Sequence, residues 1–575
     1  MWSVRRVSSS ALASQPSLRV PKENNSFLCC PPSSESQKHL DGNHAILSDV
    51  RLPAWFRNLR RLAREQALSE AVKYLRYAPE LASCIPTVEL DSLRLLVGGH
   101  QPELFHPGVW FKNFLMSEIS QRTNALALQV IVDHDVARLD TLRVPSCSTT
   151  QTQSEKSGIL ELVQRSVPLP IREDAQPRVP WHATNIGPRD QEKWNKTIAS
   201  VQQSMTSCKL GVPILSSRRE ILANCIASNE NIGDAFSQFR HSIEIANGVR
   251  NLEVPLGRLC SESAFGFFVQ QCVQNPESLW SSYNTCRDAY RLRRKIRNQA
   301  QPVLELLRQV NWFELPFWIY STTGKSIVER KRLWVCKQQN QVLMCDHPDE
   351  GLRTVSVWLP LDRQDLVNVW QEMNRNGICV RPRALMTTLY LRCFVGDLFV
   401  HGIGGGLYDE LTDDIMSHWL NLEPPTYLIS SASLHLPFRF NSDFESISPL
   451  ETGATIQRQL HLMRSVPERF LDKSIQAERD LHDAHQRLLA NIPERGHKRD
   501  WHVEIAKCKK KVEMVIEPQK RVALAKLESI QRSMHQNKIQ KSREYSFVLF
   551  EEKDVVGRLA KLAAATFSQN MESGK

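Results

Sequence analysis

Residues 97–114 read VGGHQPELFHPGVWFKNF and follow the apolar run LRLLV, which ends at Val97. Glycines, two histidines and two prolines separate a run with strand character from one with helical spacing. The pattern predicts a helix from about Val109 to Thr123, then a strand in the apolar, β-branched ALALQVIV, ending at Asp133, His134 and Asp135. Strand, glycine loop, helix and strand form a βαβ unit, so the fold class is α/β with a parallel sheet and a right-handed crossover.

The chain has 575 residues, too many for one compact core, so two or three structural units are expected. Its composition is 41% hydrophobic and 23% charged, as in ordinary globular proteins. No run approaches the ~20 uninterrupted apolar residues that span a bilayer, and a cytoplasmic protein is expected. The net charge of +11 arises from 73 basic and 62 acidic residues spread along the chain, which suits solubility or an anionic small molecule better than nucleic acid. Fourteen cysteines include no CxxC pair, so neither a zinc ribbon nor a thioredoxin-type motif is indicated, and reduced thiols fit best.

Residues 1–50 are rich in Ser, Pro and Asn and read as a disordered extension; the first 22 mix Arg and Ser without acidic residues, as transit peptides also do. Helical spacing runs from Pro53 to Tyr77 through Phe56, Leu59, Leu62, Leu68, Val72 and Leu75. The core extends over 51–453, with a polar surface excursion at 146–190 and a helical insertion at about 190–310. Strand-like runs lie at 315–320, 332–336, 341–345 and 354–361, and 377–416 places a helix, a glycine turn and another helix in series. Residues 454–544 read as a helical hairpin with a coiled-coil seam at Ile505, Cys508, Val512 and Val515, kinked at Pro518. The segment 545–575 returns to the core, beginning with a strand at 546–552.

Three clusters carry chemistry. In the opening loop, Gly99, His100, Gln101 and His106 precede a helix N-terminus, where backbone N–H groups and glycines favour an anion. Asp133, His134 and Asp135 end the next strand and could hold Mg²⁺, orient an amine, act as a general base or simply cap a helix. The segment His401–Asp413 places Gly402, Gly404, Gly405 and Gly406 ahead of Tyr408, Asp409 and Asp413, which suits close backbone approach to a ligand or helix capping. TTGKS (322–326) is not a phosphate loop, because the glycine required five positions before Gly324 is Ile319. If these strand ends share one edge, His100, Asp135 and Tyr408 should line a single pocket.

Together, GGHQPELF (98–105), VDHD (132–135), VRPRALM (380–386) with HGIGGGLYDE (401–410), and the Tyr/Arg-rich SYNTCRDAYRLRRKIRNQAQPVLEL (282–306) resemble the motifs of bacillithiol biosynthesis cysteine-adding enzymes. The resemblance departs from the family pattern at His100, which replaces a glutamine, and in the acidic residue after the glycines, which is shifted and preceded by Tyr408. It implies a Rossmann-like core, a helical connecting region and a long coiled coil, an order that agrees with the antiparallel hairpin read at 454–544, which is expected to mediate a homodimer. It also implies a ligase that joins cysteine to an amino-sugar conjugate in low-molecular-weight thiol biosynthesis, with ATP and Mg²⁺ for carboxylate activation. His100, Asp133 and Asp135 would then be catalytic; Gly99, Gln101, His106, Arg381, His401, Gly404, Gly405, Tyr408 and Asp409 would bind substrate or nucleotide. The alternatives are a scaffold built on a decayed ligase core and a nucleotidyltransferase-like enzyme with another substrate.

Overall fold

The computed structural model describes residues 18–86, 88–150, 159–171, 178–185, 190–298, 303–323, 328–438, 449–495 and 497–568. The glycine and lysine of TTGKS fall outside them.

The central sheet contains β1 (Ser26–Cys30), β2 (Leu95–His100), β3 (Leu126–Ile131), β4 (Leu252–Pro255), β5 (Leu398–His401) and β6 (Tyr427–Ser433). Their spatial order is β1-β6-β5-β2-β3-β4. Strands β2 to β6 are parallel, and β1 is antiparallel at the edge. The chain steps from β2 outward to β3 and β4, then crosses back to place β5 and β6 on the other side of β2. The strand order therefore reverses between β2 and β5, where ligands collect at the carboxyl edge of open parallel sheets.

Alternation along β2 feeds two cores. Leu95 and Val97 join one, with residues of the helices Ala54–Tyr74, Ser263–Gln274 and Ile403–Trp419. Leu96 joins the other, with residues of Pro107–Thr123, Ile232–Ala246 and Glu552–Ala565. β2 continues past Val97 to His100, so Gly98 and Gly99 are strand residues and not a turn. A Cβ on Gly98 would lie 2.5 Å from Met116 Sδ and 3.1 Å from Gln129 Oε1. The glycine there admits the helix Pro107–Thr123 onto the sheet.

Buried Asp397 fixes β5 beside β2. It accepts from Arg60 Nη2 at 2.6 Å, Arg64 Nη1 at 2.9 Å, His44 Nδ1 at 2.9 Å and the Leu95 amide at 2.8 Å. Burial opposes its charge, but His44, Arg60 and Arg64 outweigh that cost and hold its carboxyl below the usual range.

The four strand-like runs of 315–361 are strands of a second, antiparallel sheet. Its order is Ser356–Pro360, Gln341–Cys345, Lys331–Gln338, Trp312–Ser321 and Ile378–Pro382.

Several expectations are corrected. Residues 18–50 are not an unstructured extension: they supply β1 and the helix Ser36–Leu47. The excursion at 146–190 contains most of the paired strands Thr141–Thr150 and Ile159–Pro168. The helical region 190–310 includes β4, and 377–416 includes β5, which places LFVH in the central sheet. Gly404, Gly405 and Gly406 form the first turn of the helix Ile403–Trp419 instead of a flexible turn.

The helices Pro449–Ser465 and Gln476–Ala490 pack against one helix, Arg499–Gln540, which continues through Pro518. Cys508, Val512, Ile516, Ala523 and Ile530 are its buried residues in that region, whereas Val515, expected in the seam, is 36% exposed. Four-residue steps at 508–512–516 keep the apolar stripe facing its neighbours. The segment after Tyr545 does return to the core, but Phe547–Leu549 forms a 3₁₀ turn instead of a strand. No described helix is long and apolar enough to cross a membrane.

Candidate functional site

At the carboxyl edge, β5, β2 and β3 end side by side, because Val400 pairs with Gly98 and His100 with Ile131. All three sequence clusters reach this edge, but their side chains have different roles.

His100 turns inward. Its ring meets Phe105 edge-on at 4.5 Å, its Nδ1 donates to the Gln101 carbonyl at 2.9 Å, and it is buried. Burial, reinforced by the charges of Arg240 and Lys112, holds the imidazole neutral. His106 is the N-cap of the next helix, its Nδ1 accepting from the Gly108 amide at 3.1 Å. Burial pulls its pKa down to about 4. A Cβ on Gly108 would strike Arg543 Nη2 and the Ala432 carbonyl, so the C-terminal segment and β6 cover this helix start. The opening loop is therefore not the open anion site its composition suggests.

The cationic group of this edge lies in the helix itself. Lys112 is 5% exposed, and its Nζ donates to the Gly99 carbonyl at 2.8 Å. Among the described residues no carboxylate lies within salt-bridge distance of it. Burial lowers its pKa to about 8. Its charge works against protonation of both His100, which ends β2, and His401, which ends β5. A buried cation with one neutral acceptor is costly unless an anion joins it.

Across from Lys112, His401 ends β5, and its Nε2 donates to Asp409 Oδ2 at 2.7 Å. Asp409 also accepts from Arg392 Nη1 and Thr388 Oγ1, each at 2.6 Å. Burial opposes the Asp409 charge, but Arg392, His401 and Thr388 outweigh it. Asp409 is thus an internal anchor and not a free ligand carboxylate. Gly405 approaches the His401 ring, its would-be Cβ lying 3.0 Å from Nδ1, while Gly402 and Gly404 face open space. The helix starts at Ile403 with no side-chain cap on its first amides. Tyr408, at 42% exposed, lies out on the following turn. His100 is buried against Phe105, whereas Tyr408 is solvent-exposed.

At the end of β3, Asp133 Oδ1 accepts from the Gly257 amide at 2.8 Å, so its carboxylate caps the short helix after β4. Asp135 accepts from Gln101 Nε2 at 3.0 Å and pairs with Arg330 at 3.1 Å. Burial acts against its charge, and Gln101 and Arg330 overcome it. His134 donates from Nε2 to the Pro382 carbonyl at 3.0 Å, and burial takes its pKa to about 4. His182 donates from Nδ1 to the Asp133 carbonyl at 3.1 Å and meets the Tyr320 hydroxyl at 3.4 Å. Arg381 is buried in this group and donates to its own neighbour, the Val380 carbonyl, at 3.0 Å.

Comparison with known proteins returns no matching family model and no matching curated protein.

The arrangement offers two polar stations on one sheet edge. One is the Lys112 ammonium, bonded to Gly99 near the end of β2; the other pairs Asp135 with Gln101 and Arg330, next to His134 in the chain. Sequence reading missed Lys112, His182, Tyr320 and Arg330. Lys112 lies inside the opening stretch, in VWFKNF, where a charge among bulky apolar residues was the available signal. A cavity of about 440 Å³ lined by Arg61, Glu65, Glu89 and Asp91 lies by the residues leading into β2, away from these groups.

Proposed function

We propose that the chain is a carbon–nitrogen ligase that joins an amino-acid carboxylate to the amine of an amino-sugar conjugate, with cysteine as the amino acid that the motif resemblance implies. The observation that carries this reading is Lys112: a buried ammonium with no carboxylate partner among the described residues, bonded to Gly99 near the end of β2, where the strand order reverses. Such a station suits phosphoryl or carboxylate oxygens. In this reading the core is Rossmann-like and doubly wound.

ATP fits as the activating co-substrate. Lys112 and the amides of Gly404 and Gly405 would hold phosphoryl oxygens, and the charge they stabilise would grow as the carboxylate is activated. The carboxylates nearby do not fit a resident divalent ion, because Asp133 caps Gly257 and Asp135 is paired with Arg330. Mg²⁺ would arrive on the nucleotide. Asp135 retains partial exposure and is the group suited to an incoming ammonium or amine.

The long helix and its two neighbours would serve as a coiled-coil dimer arm. Val522 on the long helix is 70% exposed and Val515, seven residues earlier on the same face, is 36% exposed, a spacing that suits a second copy.

The test is a reaction mixture of pure protein, ATP, Mg²⁺, cysteine and glucosaminyl malate, followed by mass spectrometry. Amide product with stoichiometric nucleotide cleavage is expected. ATP left intact under all pairings of amino acid and amine would overturn the ligase reading.

A further inference from the structure

The hairpin Thr141–Thr150/Ile159–Pro168 packs on the helix Asp190–Ser207, and two cysteines meet where they join. Cys147 Sγ lies 3.2 Å from Cys208 Sγ. The backbone holds them in place: the Cys147 amide donates to Ser207 Oγ at 2.9 Å, and that hydroxyl donates to the Ser204 carbonyl at 2.7 Å. Cys147 is partly exposed, whereas Cys208 is buried. The main chain after Cys208 reaches the C-terminal segment, where the Ile214 amide donates to the Phe550 carbonyl at 2.9 Å.

We propose that Cys147 and Cys208 form a reversible redox pair, oxidised by hydrogen peroxide to an intramolecular disulfide. The sulfurs need to close from 3.2 Å to about 2.05 Å, a movement within reach of a small side-chain rotation. The accessible Cys147 thiolate attacks peroxide, breaking the O–O bond to give a sulfenic acid and one water after proton uptake. Cys208 sulfur then attacks the Cys147 sulfur, the S–O bond breaks, and the Cys208 proton leaves with the hydroxide as a second water. Two thiols lose two electrons and two protons, and one peroxide becomes two waters. Burial raises the Cys208 thiol to about 12, which suits the resolving role better than first attack on peroxide. The bond would fasten the hairpin to the end of the helix Asp190–Ser207. This inference does not depend on the ligase reading.

The experiment uses the full chain, folded and reduced, with peroxide added stepwise until the exposed Cys84 is oxidised. Remaining thiols are blocked, and peptides are mapped by mass spectrometry with and without dithiothreitol. The expected result is a Cys147–Cys208 cross-linked peptide lacking two hydrogens, lost on reduction. Separate alkylation of both residues after Cys84 has reacted would overturn the proposal, as would either one cross-linked to a different cysteine. Cys208→Ser should instead leave Cys147 as a sulfenic acid trapped by dimedone, which wild-type protein should not accumulate.

Discussion

The Lys112 ammonium donates to the Gly99 carbonyl at 2.8 Å, tying the first helix after β2 to the last residues of that strand. The contact places a positive charge at the carboxyl edge, with no carboxylate partner among the described residues. Its consequences are measurable in both stability and binding.

Replacing Lys112 with methionine should stabilise the protein when no anion is present. The folded pKa of about 8 lies below the ordinary 10.5, so burial of the charge costs roughly 3 kcal/mol at neutral pH. The unfolded chain binds the extra proton between those values, so this group's contribution to stability rises as pH increases from about 8 to about 10.5. Thermal melts from pH 7 to 10.5 should show that rise in wild-type protein and its loss in Lys112→Met. A variant that melts well below wild type at pH 7 would mark Lys112 as a structural donor only.

Asp397→Asn should destabilise the fold by about 3–5 kcal/mol, because Arg60 and Arg64 would be left buried without their carboxylate. The Asp397 carboxyl is held below its ordinary range when folded, so its contribution is complete above about pH 4 and fades as pH falls further. Denaturant titrations at pH 7 and at successively lower pH values check both the size and the direction. Equal stability of the variant at pH 7 would contradict the role assigned to this cluster.

Asp409→Asn tests whether the glycine segment's acidic residue anchors or binds. It accepts from His401, Arg392 and Thr388, so the substitution should cost about 3 kcal/mol or more in stability. Chemical denaturation provides the measure. Unchanged stability with weakened nucleotide binding would return Asp409 to the ligand.

Much of the first βαβ unit was legible because its parts carry strong local signals: a buried apolar run, a helix with aromatic spacing, then ALALQVIV. The position of β5 was not legible. LFVH is a four-residue buried strand inside a longer apolar stretch, where periodicity cannot separate strand from helix. Gly98 read as a turn residue because its actual reason, the approach of Met116 from the helix, depends on a tertiary contact. His100 and Asp133 read as reactive groups for a similar cause. Their partners, Phe105 for one and Gly257 for the other, are fixed only once the loop and β4 are in place. Lys112 is the inverse case, a charged residue whose burial is signalled only by its bulky apolar neighbours in VWFKNF.

The proposed dimer arm has its own test. Val515→Glu with Val522→Glu adds charge to one outer face of the long helix without touching the buried Val512 and Ile516. Sedimentation should show a wild-type dimer and a variant shifted to monomer, with helix content unchanged. A monomeric wild-type protein at micromolar concentration would remove the arm from that role.

The most direct measurement is a calorimetric titration of ATP into wild-type protein and Lys112→Met at pH 7. If the edge between β2 and β5 is the anion station, the substitution removes a charge-assisted contact worth about 1.5–3 kcal/mol, and affinity should fall about tenfold or more. Equal affinity in the two proteins, or no binding to either, would contradict the placement of the ligand at Lys112.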